Sequence, residues 1–275
     1  MLKKTGTGQT QGGRKPLMLM IHSSAFYVIG VYAAAEVIGT VLATLDGQII
    51  EDDELPLSAP PLKEQFLQMM KERIRLVIKQ SRAEIDSLIG IGVAMHGLVD
   101  PQNGVAVFAP HLNLESIPIK DELEQEFNIP ALVENDVRTL ALAESWYGEG
   151  QGIANFVCIS VGLGVGSGIV LNDEVYSGMF HTAGELGHTV IDINGPRCRC
   201  GNYGCLEAYV SESAILSRVQ KAIRLGKETL ITAWLDGDSH LLTIEMIFTA
   251  AEQGDQLALE VLEDAGRYLG IASQI

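Results

Sequence analysis

His188, Cys198, Cys200 and Cys205 follow one another with nine, one and four residues between them. An imidazole and three thiolates are the donors zinc prefers, and four of them close a tetrahedral structural site with no open coordination position. Gly201 and Gly204 sit inside the short spacings and let the backbone turn so that three sulfurs can converge. A secreted disulfide framework usually spreads an even set of cysteines along a short chain. Three of four cysteines gathered into eight residues instead fit metal binding in a reducing cytoplasm. Cys158, within the apolar run Phe156-Val157-Cys158-Ile159, reads as a small buried hydrophobe.

Two carboxylates flank the cysteine loop, Glu185 three residues before His188 and Glu207 two residues after Cys205. A metal-held loop would fix both, and carboxylates that accept paired hydroxyl hydrogen bonds are a means of gripping a polyol. Glu207 has a second reading, as a first-turn helix residue favoured by the dipole. Asn135-Asp136 stands where a buried strand gives way to a helix. That placement suits an N-cap, and it equally suits a ligand acceptor at the carboxyl end of a strand; the sequence leaves both open. In Gly162-Leu163-Gly164-Val165-Gly166-Ser167-Gly168, the alternate glycines Gly162, Gly164 and Gly166 could bring backbone N–H groups to a phosphate. A glycine-rich hairpin accounts for the same run.

These residues need a scaffold, and the apolar pattern supplies one. Strands are expected at residues 26–32, 37–45 and 48–51, with a turn at Asp46-Gly47. A helix follows, with Leu62, Phe66, Met69, Met70, Ile74, Val77 and Ile78 at three- and four-residue spacing, a core stripe. Then come strands at 88–94 and 105–109, a helix near 120–127 and a strand ending at Glu134. A second unit is expected to open with a helix at 137–146 and to continue through strands at 155–161 and 168–171, a hairpin at Asn172-Asp173 and mostly helix after Cys205. Two α/β units in tandem, 17–136 and 137–275, imply a site in the cleft between them. The apolar-periodic segment 257–275 ends without a Gly or Pro stop signal, so the chain is expected to be truncated there.

The chain has 275 residues, is 47% hydrophobic and carries a formal net charge of −16. Such a field repels nucleic acid, whose binding requires a local excess of Lys and Arg. Lys3, Lys4, Arg14 and Lys15 stand together without an acidic neighbour in residues 1–16, as a basic tail or a solvated one. No apolar run reaches the roughly 18 residues of a membrane span, and no signal-peptide pattern follows the N-terminal lysines. A soluble, cytoplasmic protein without a membrane partner is expected.

The stretch His181-Thr182-Ala183-Gly184-Glu185-Leu186-Gly187-His188, with Cys198-Arg199-Cys200-Gly201-Asn202-Tyr203-Gly204-Cys205-Leu206-Glu207, resembles the signature of the ROK family of repressors and sugar kinases. The resemblance extends from Tyr27 onward through Glu134-Asn135-Asp136 and the glycine turn. It implies a two-lobed, actin-like α/β fold with an inserted zinc loop and a monosaccharide in the cleft. It also implies that Asn135, Asp136, Glu185, His188 and Glu207 hold sugar hydroxyls, with His188 serving the metal as well. Asp136 corresponds to the catalytic base of kinase members. Family members are often homodimers or homotetramers.

ROK kinases place an Asp-x-Gly-Gly-Thr-like phosphate loop after the first strand. Here that place is taken by Tyr32-Ala33-Ala34-Ala35-Glu36, with the Asp gone, the backbone crowded and a like charge added at Glu36. Phosphoryl transfer depends on positioning and on neutralising phosphate charge, so no useful kinase activity is expected and neither ATP nor magnesium is an expected cofactor. Residues 6–16 resemble the segment that links a winged-helix DNA-binding domain to the sugar-binding body in ROK repressors. The resemblance therefore implies the effector part of a transcriptional regulator, lacking its DNA-binding domain; the alternative is an ATP-dependent sugar kinase. Two departures from the family pattern are His96, where proline is frequent, and His111-Leu112-Asn113.

Overall fold

The computed structural model describes residues 2–7 and 17–274. The connector expected at 6–16 lies outside these from residue 8 onward. Before it, β1 (Leu2–Thr7) pairs antiparallel with β2 (Leu17–Ile21). The chain divides into two compact units, one formed by Met1–Ile153 with Gly178–His181, the other by Ala154–Ser177 with Thr182–Ile275.

The first unit is built on a five-stranded mixed sheet. β3 (Tyr27–Ala33), β4 (Val37–Thr44) and β5 (Ile49–Pro56) form the expected meander. β5 runs five residues beyond its expected end, because Asp52 to Pro56 continue the ladder with Val41 to Val37 despite their charge. β6 (Leu88–Met95) lies parallel to β3, and β10 (Ala131–Asn135) lies parallel to β6. Alternation is strict in β4, whose Ile38, Thr40, Leu42 and Thr44 all point inward. The helix α1 (Lys63–Ser81) covers β4 and β5 with Phe66, Leu67, Met70, Ile74 and Val77. Leu62, expected in that stripe, precedes the helix and is 67% exposed, while Leu67 takes a core place instead.

A second sheet, β7 (Leu98–Asp100), β8 (Val105–Ala109) and β9 (Leu114–Ile117), was foreseen only in its middle strand. Its outer strands are three and four residues long, too short to carry a period. α2 (Ile119–Phe127) packs on β10, and α3 (Asp136–Tyr147) packs on both β10 and β6. The helix expected to open the second unit therefore belongs to the first, and the units part at Ile153/Ala154 rather than after Asp136. One arrangement matters most for chemistry: β3, β6 and β10 end side by side, with Ala33 and Asn135 both in register with Met95.

The second unit holds a three-stranded antiparallel sheet of β11 (Phe156–Val161), β12 (Val165–Leu171) and β13 (Glu174–Val175). After the cysteine loop come α4 (Glu207–Val210), α5 (Glu212–Arg224), α6 (Ile231–Trp234), α7 (Ile244–Glu252) and α8 (Gln256–Ala272). Their inward faces meet in one core that includes Leu206, Val210, Val219, Ile231, Ile247 and Ala258. Asp255 fixes the start of α8, accepting from Ala258 N at 2.9 Å and from Leu230 N at 2.7 Å. No described helix is long and apolar enough to cross a membrane.

Candidate functional site: a His/Cys cluster and the polar end of a parallel sheet

In the second unit, the ligand atoms of His188, Cys198, Cys200 and Cys205 all lie within 4.8 Å of one another. Cys200 Sγ is 3.6 Å from Cys205 Sγ, and Cys198 Sγ is 3.7 Å from His188 Nδ1. Metal–sulfur bonds of about 2.3 Å at tetrahedral angles would place sulfurs roughly 3.8 Å apart, so these separations match the edges of a four-donor metal site. Three thiolates at such distances repel one another unless a cation lies between them. Burial, with the neighbouring thiols adding to it, pushes Cys205 up to about 12. Burial likewise raises Cys198. Against its own burial, Cys200 is drawn below its usual value by hydrogen bonds from the Asn202 backbone and the other two thiols. The residues fit a metal in donor type, number and spacing, and the cluster could hold one.

The loop reaches this geometry because glycines remove Cβ atoms where backbones touch. Gly184 (φ +91°) and Gly187 lie against β12, where an added Cβ would stand 1.9 Å from Ser167 O and 2.2 Å from Val165 O. They carry Glu185 and His188 on a single tight turn. Gly204 (φ +68°) leaves only 1.5 Å for a Cβ before Asp192 O. Cys198 N donates to Asn202 O at 2.8 Å, and Val190 bridges Cys205, closing the two ends of the loop.

The His188 ring has its Nδ1 toward Cys198 and its Nε2 3.9 Å from Glu185 Oε2. That second distance is too long for a direct hydrogen bond. It leaves one nitrogen for the metal cluster and the other facing a half-exposed carboxylate. Glu207, at the first turn of α4, accepts from Val165 N at 3.1 Å through Oε2, and its Oε1 lies 3.8 Å from Cys198 Sγ. Glu207 thus stands at a helix start, as one of its readings has it, and lies against the cysteine loop. Among the glycines singled out above, Gly162 N donates to Gly164 O at 2.9 Å across the turn, while Gly166 stands inside β12 opposite Ser160.

In the first unit, Asn135 and Asp136 close the carboxyl end of β10. Asn135 Oδ1 accepts from Val137 N and Arg138 N, both at 3.0 Å. Its Nδ2 donates to Gly97 O and to Asp136 Oδ1, again both at 3.0 Å. All four hydrogen-bonding places of the amide are therefore used within the protein. We expect Asn135→Ala to lower the stability of the sugar-free first unit by about 1–2 kcal/mol through loss of the cap; urea unfolding measures it. Asp136 Oδ1 also accepts from Val137 N at 2.9 Å. Burial raises the Tyr32 phenol above its ordinary range, and the Asp136 carboxylate adds to that rise. Tyr32 is the last but one residue of β3, ahead of a turn in which Ala34 N is committed to Val37 O.

Sequence reasoning missed Arg138 and gave His96 no role. Arg138 is buried, donates through Nε to Glu134 Oε1 at 2.8 Å, and donates through Nη1 to His181 O at 2.8 Å. The four-residue spacing from Glu134 was the one available signal. His96, 8% exposed, sends its backbone N and its Nδ1 to the same Ala33 carbonyl. A carbonyl only accepts, so Nδ1 carries the proton and Nε2, without a hydrogen-bond partner, is a bare acceptor. The His111 ring lies 5.8 Å away.

A model described as the ROK family matches residues 28–275. The chain is 30% identical to a xylose repressor of Caldicellulosiruptor bescii over 98% of its own length and 68% of the relative. It is 33% identical to the xylose repressor of Bacillus subtilis, covering 98% and 66%. To the Escherichia coli DNA-binding transcriptional dual regulator NagC it is 32% identical, covering 98% and 65%. The chain thus spans about two thirds of the length of these relatives. Among solved structures, a ROK family transcriptional regulator homologous to the Escherichia coli MLC protein shares 32% identity with TM-score 0.84, over 93% of this chain and 63% of that one. A ROK family glucokinase from Streptomyces griseus, in complex with glucose and AMPPNP, shares 27% with TM-score 0.78, over 90% and 77%.

Proposed function

The chain belongs to the ROK family, and from that membership we propose that it is the sugar-sensing effector part of a transcriptional regulator of carbohydrate genes. Its ligand is a monosaccharide or a related sugar, and Asp136, Glu185, His188 and Glu207 are the residues proposed to meet its hydroxyls. Asn135 acts chiefly by fixing the Asp136 carboxylate. Zinc occupies the His188, Cys198, Cys200 and Cys205 cluster and, when bound, supplies a rigid anchor for the loop with no reactive position. The observation that carries the reading is the His188 ring, with one nitrogen toward the thiols and the other toward Glu185. A single imidazole so placed ties metal binding to the orientation of a sugar-facing carboxylate.

The second reading, a sugar kinase, draws on the glucokinase likeness and on the presence of Asp136. Against it stands the turn after β3, whose Ala34 N–H is already engaged and whose Tyr32 faces the charge of Asp136. A phosphate there would meet no carboxylate–magnesium arrangement and no free glycine backbone. DNA contact belongs to a winged-helix segment of the whole regulator and not to this acidic body, and the regulator works in the cytoplasm as a homodimer or homotetramer.

The test is a sugar panel read in two ways. One sugar at about 100 times its Kd is expected to stabilise the protein by roughly 2.7 kcal/mol. An ATP-coupled assay on the same panel is expected to show no turnover. Phosphorylation at about 1 s⁻¹ or faster, the ordinary range of kinases, would overturn the sensor reading.

A further inference from the structure

Asp192 is neither a metal donor nor a sugar-facing residue, yet the cysteine loop folds around it. Its carbonyl accepts from Gly195 N at 2.9 Å and lies directly against Gly204, where an added Cβ would come within 1.5 Å. Its own N–H and that of Ile191 both point to Gly204 O, at 3.3 and 2.8 Å. Its Oδ1 accepts from Asn194 N at 2.9 Å, and its Oδ2 accepts the Tyr209 hydroxyl at 2.9 Å. The residue after Gly204 is Cys205, the fully buried metal donor.

Tyr209 comes from the other side of the same site. It sits on α4 two residues after Glu207, and its ring lies on Tyr268 of α8 with centroids 4.3 Å apart. Gly195 is close enough that a Cβ there would stand 2.2 Å from the Tyr209 hydroxyl, so the loop closes on that oxygen. One hydroxyl thus connects the helix that carries Glu207 to the backbone that delivers Cys205.

We propose that Tyr209 is the positioning residue of the metal loop, its hydroxyl acting through Asp192 to set the approach of Cys205 to the other three donors. The proposal rests on the metal reading given above. Outer partners that orient metal ligands typically change affinity about 10- to 100-fold when removed. Because Tyr209 acts at one remove, through Asp192 and Gly204, about ten-fold is expected.

The experiment uses the whole chain and zinc alone, with affinity measured by competition against a chromophoric chelator. Tyr209→Phe should bind zinc about ten-fold more weakly, while the zinc-free protein keeps its thermal midpoint. Asp192→Ala should lose as much, the double variant no more than either single one, and Asp192→Asn, whose Oδ1 can still accept from Asn194 N while its Nδ2 donates to the Tyr209 hydroxyl oxygen, should recover most of the affinity. A purely structural tyrosine would lower the zinc-free midpoint and leave affinity alone. Equal zinc affinity in wild type and Tyr209→Phe overturns the positioning role by itself, as do losses that add independently in the double variant. A wild-type chain that takes up no zinc overturns both this role and the metal reading.

Discussion

Replacing Cys205 with serine is expected to leave the purified chain with less than about a tenth of its wild-type metal, because one of four donors is lost from a site whose binding energy is about 10–16 kcal/mol when complete. Cys205 is the donor with the most to lose. It is fully buried, and its thiol is pushed up to about 12 by burial and by the thiols beside it. Only a bound cation makes its thiolate favourable there, and a serine hydroxyl does not deprotonate in its place. Without metal, His188 and the three thiols lose the partner that would draw them together and the loop between His188 and Glu207 is less firmly held, so sugar affinity should fall with metal content. Metal analysis per chain and calorimetric sugar binding measure both losses. The control is Cys158→Ser, a cysteine on β11 outside the cluster, which should keep its metal. Full metal occupancy in Cys205→Ser would exclude the four-donor site, and sugar binding that survives metal loss would separate the sugar site from the metal.

The donors of this cluster were legible because they are local. They fall within one loop, and their residue types and spacing already limit the chemistry. The α/β character of both units was legible for a similar reason, since strands such as β4 and helices such as α1 display their period over many residues. What escaped depends on contacts between distant segments. β7 and β9 are too short to show alternation, and they exist because β8 lies between them. The division between units was misplaced because α3 follows Asp136 in sequence but buries itself against β6 and β10. Arg138 looks like any charged helix residue until the His181 carbonyl arrives from 43 positions away. At Asn135 the N-cap reading is seen directly, since its amide caps α3 and also holds Gly97 and Asp136.

The pH dependence of the first unit should expose the buried, half-paired environment of His96. Burial, with the neighbouring His111 adding to it and the Ala33 carbonyl working against it, brings its pKa down from 6.5 to about 4. In the unfolded chain the imidazole takes up a proton near pH 6.5. Between that pH and about 4 the unfolded state binds more protons than the folded one, so acid draws the equilibrium toward unfolding. The stability contributed by the neutral ring is complete above pH 6.5, falls as the pH drops, and changes no further below about 4. A difference of this size corresponds to about 3 kcal/mol. Carboxylates titrate over the lower part of the same range, which makes the comparison with a variant essential. In His96→Asn, urea unfolding from pH 7 to pH 4 should follow a shallower course, and the gap between wild type and variant should change by about 3 kcal/mol in the variant's favour across that interval. Parallel curves would mean that His96 takes up its proton over the same pH range in the folded and the unfolded states, with Nε2 donating. Its environment supplies no acceptor for that proton among the described residues, which is why the neutral ring is the expected form.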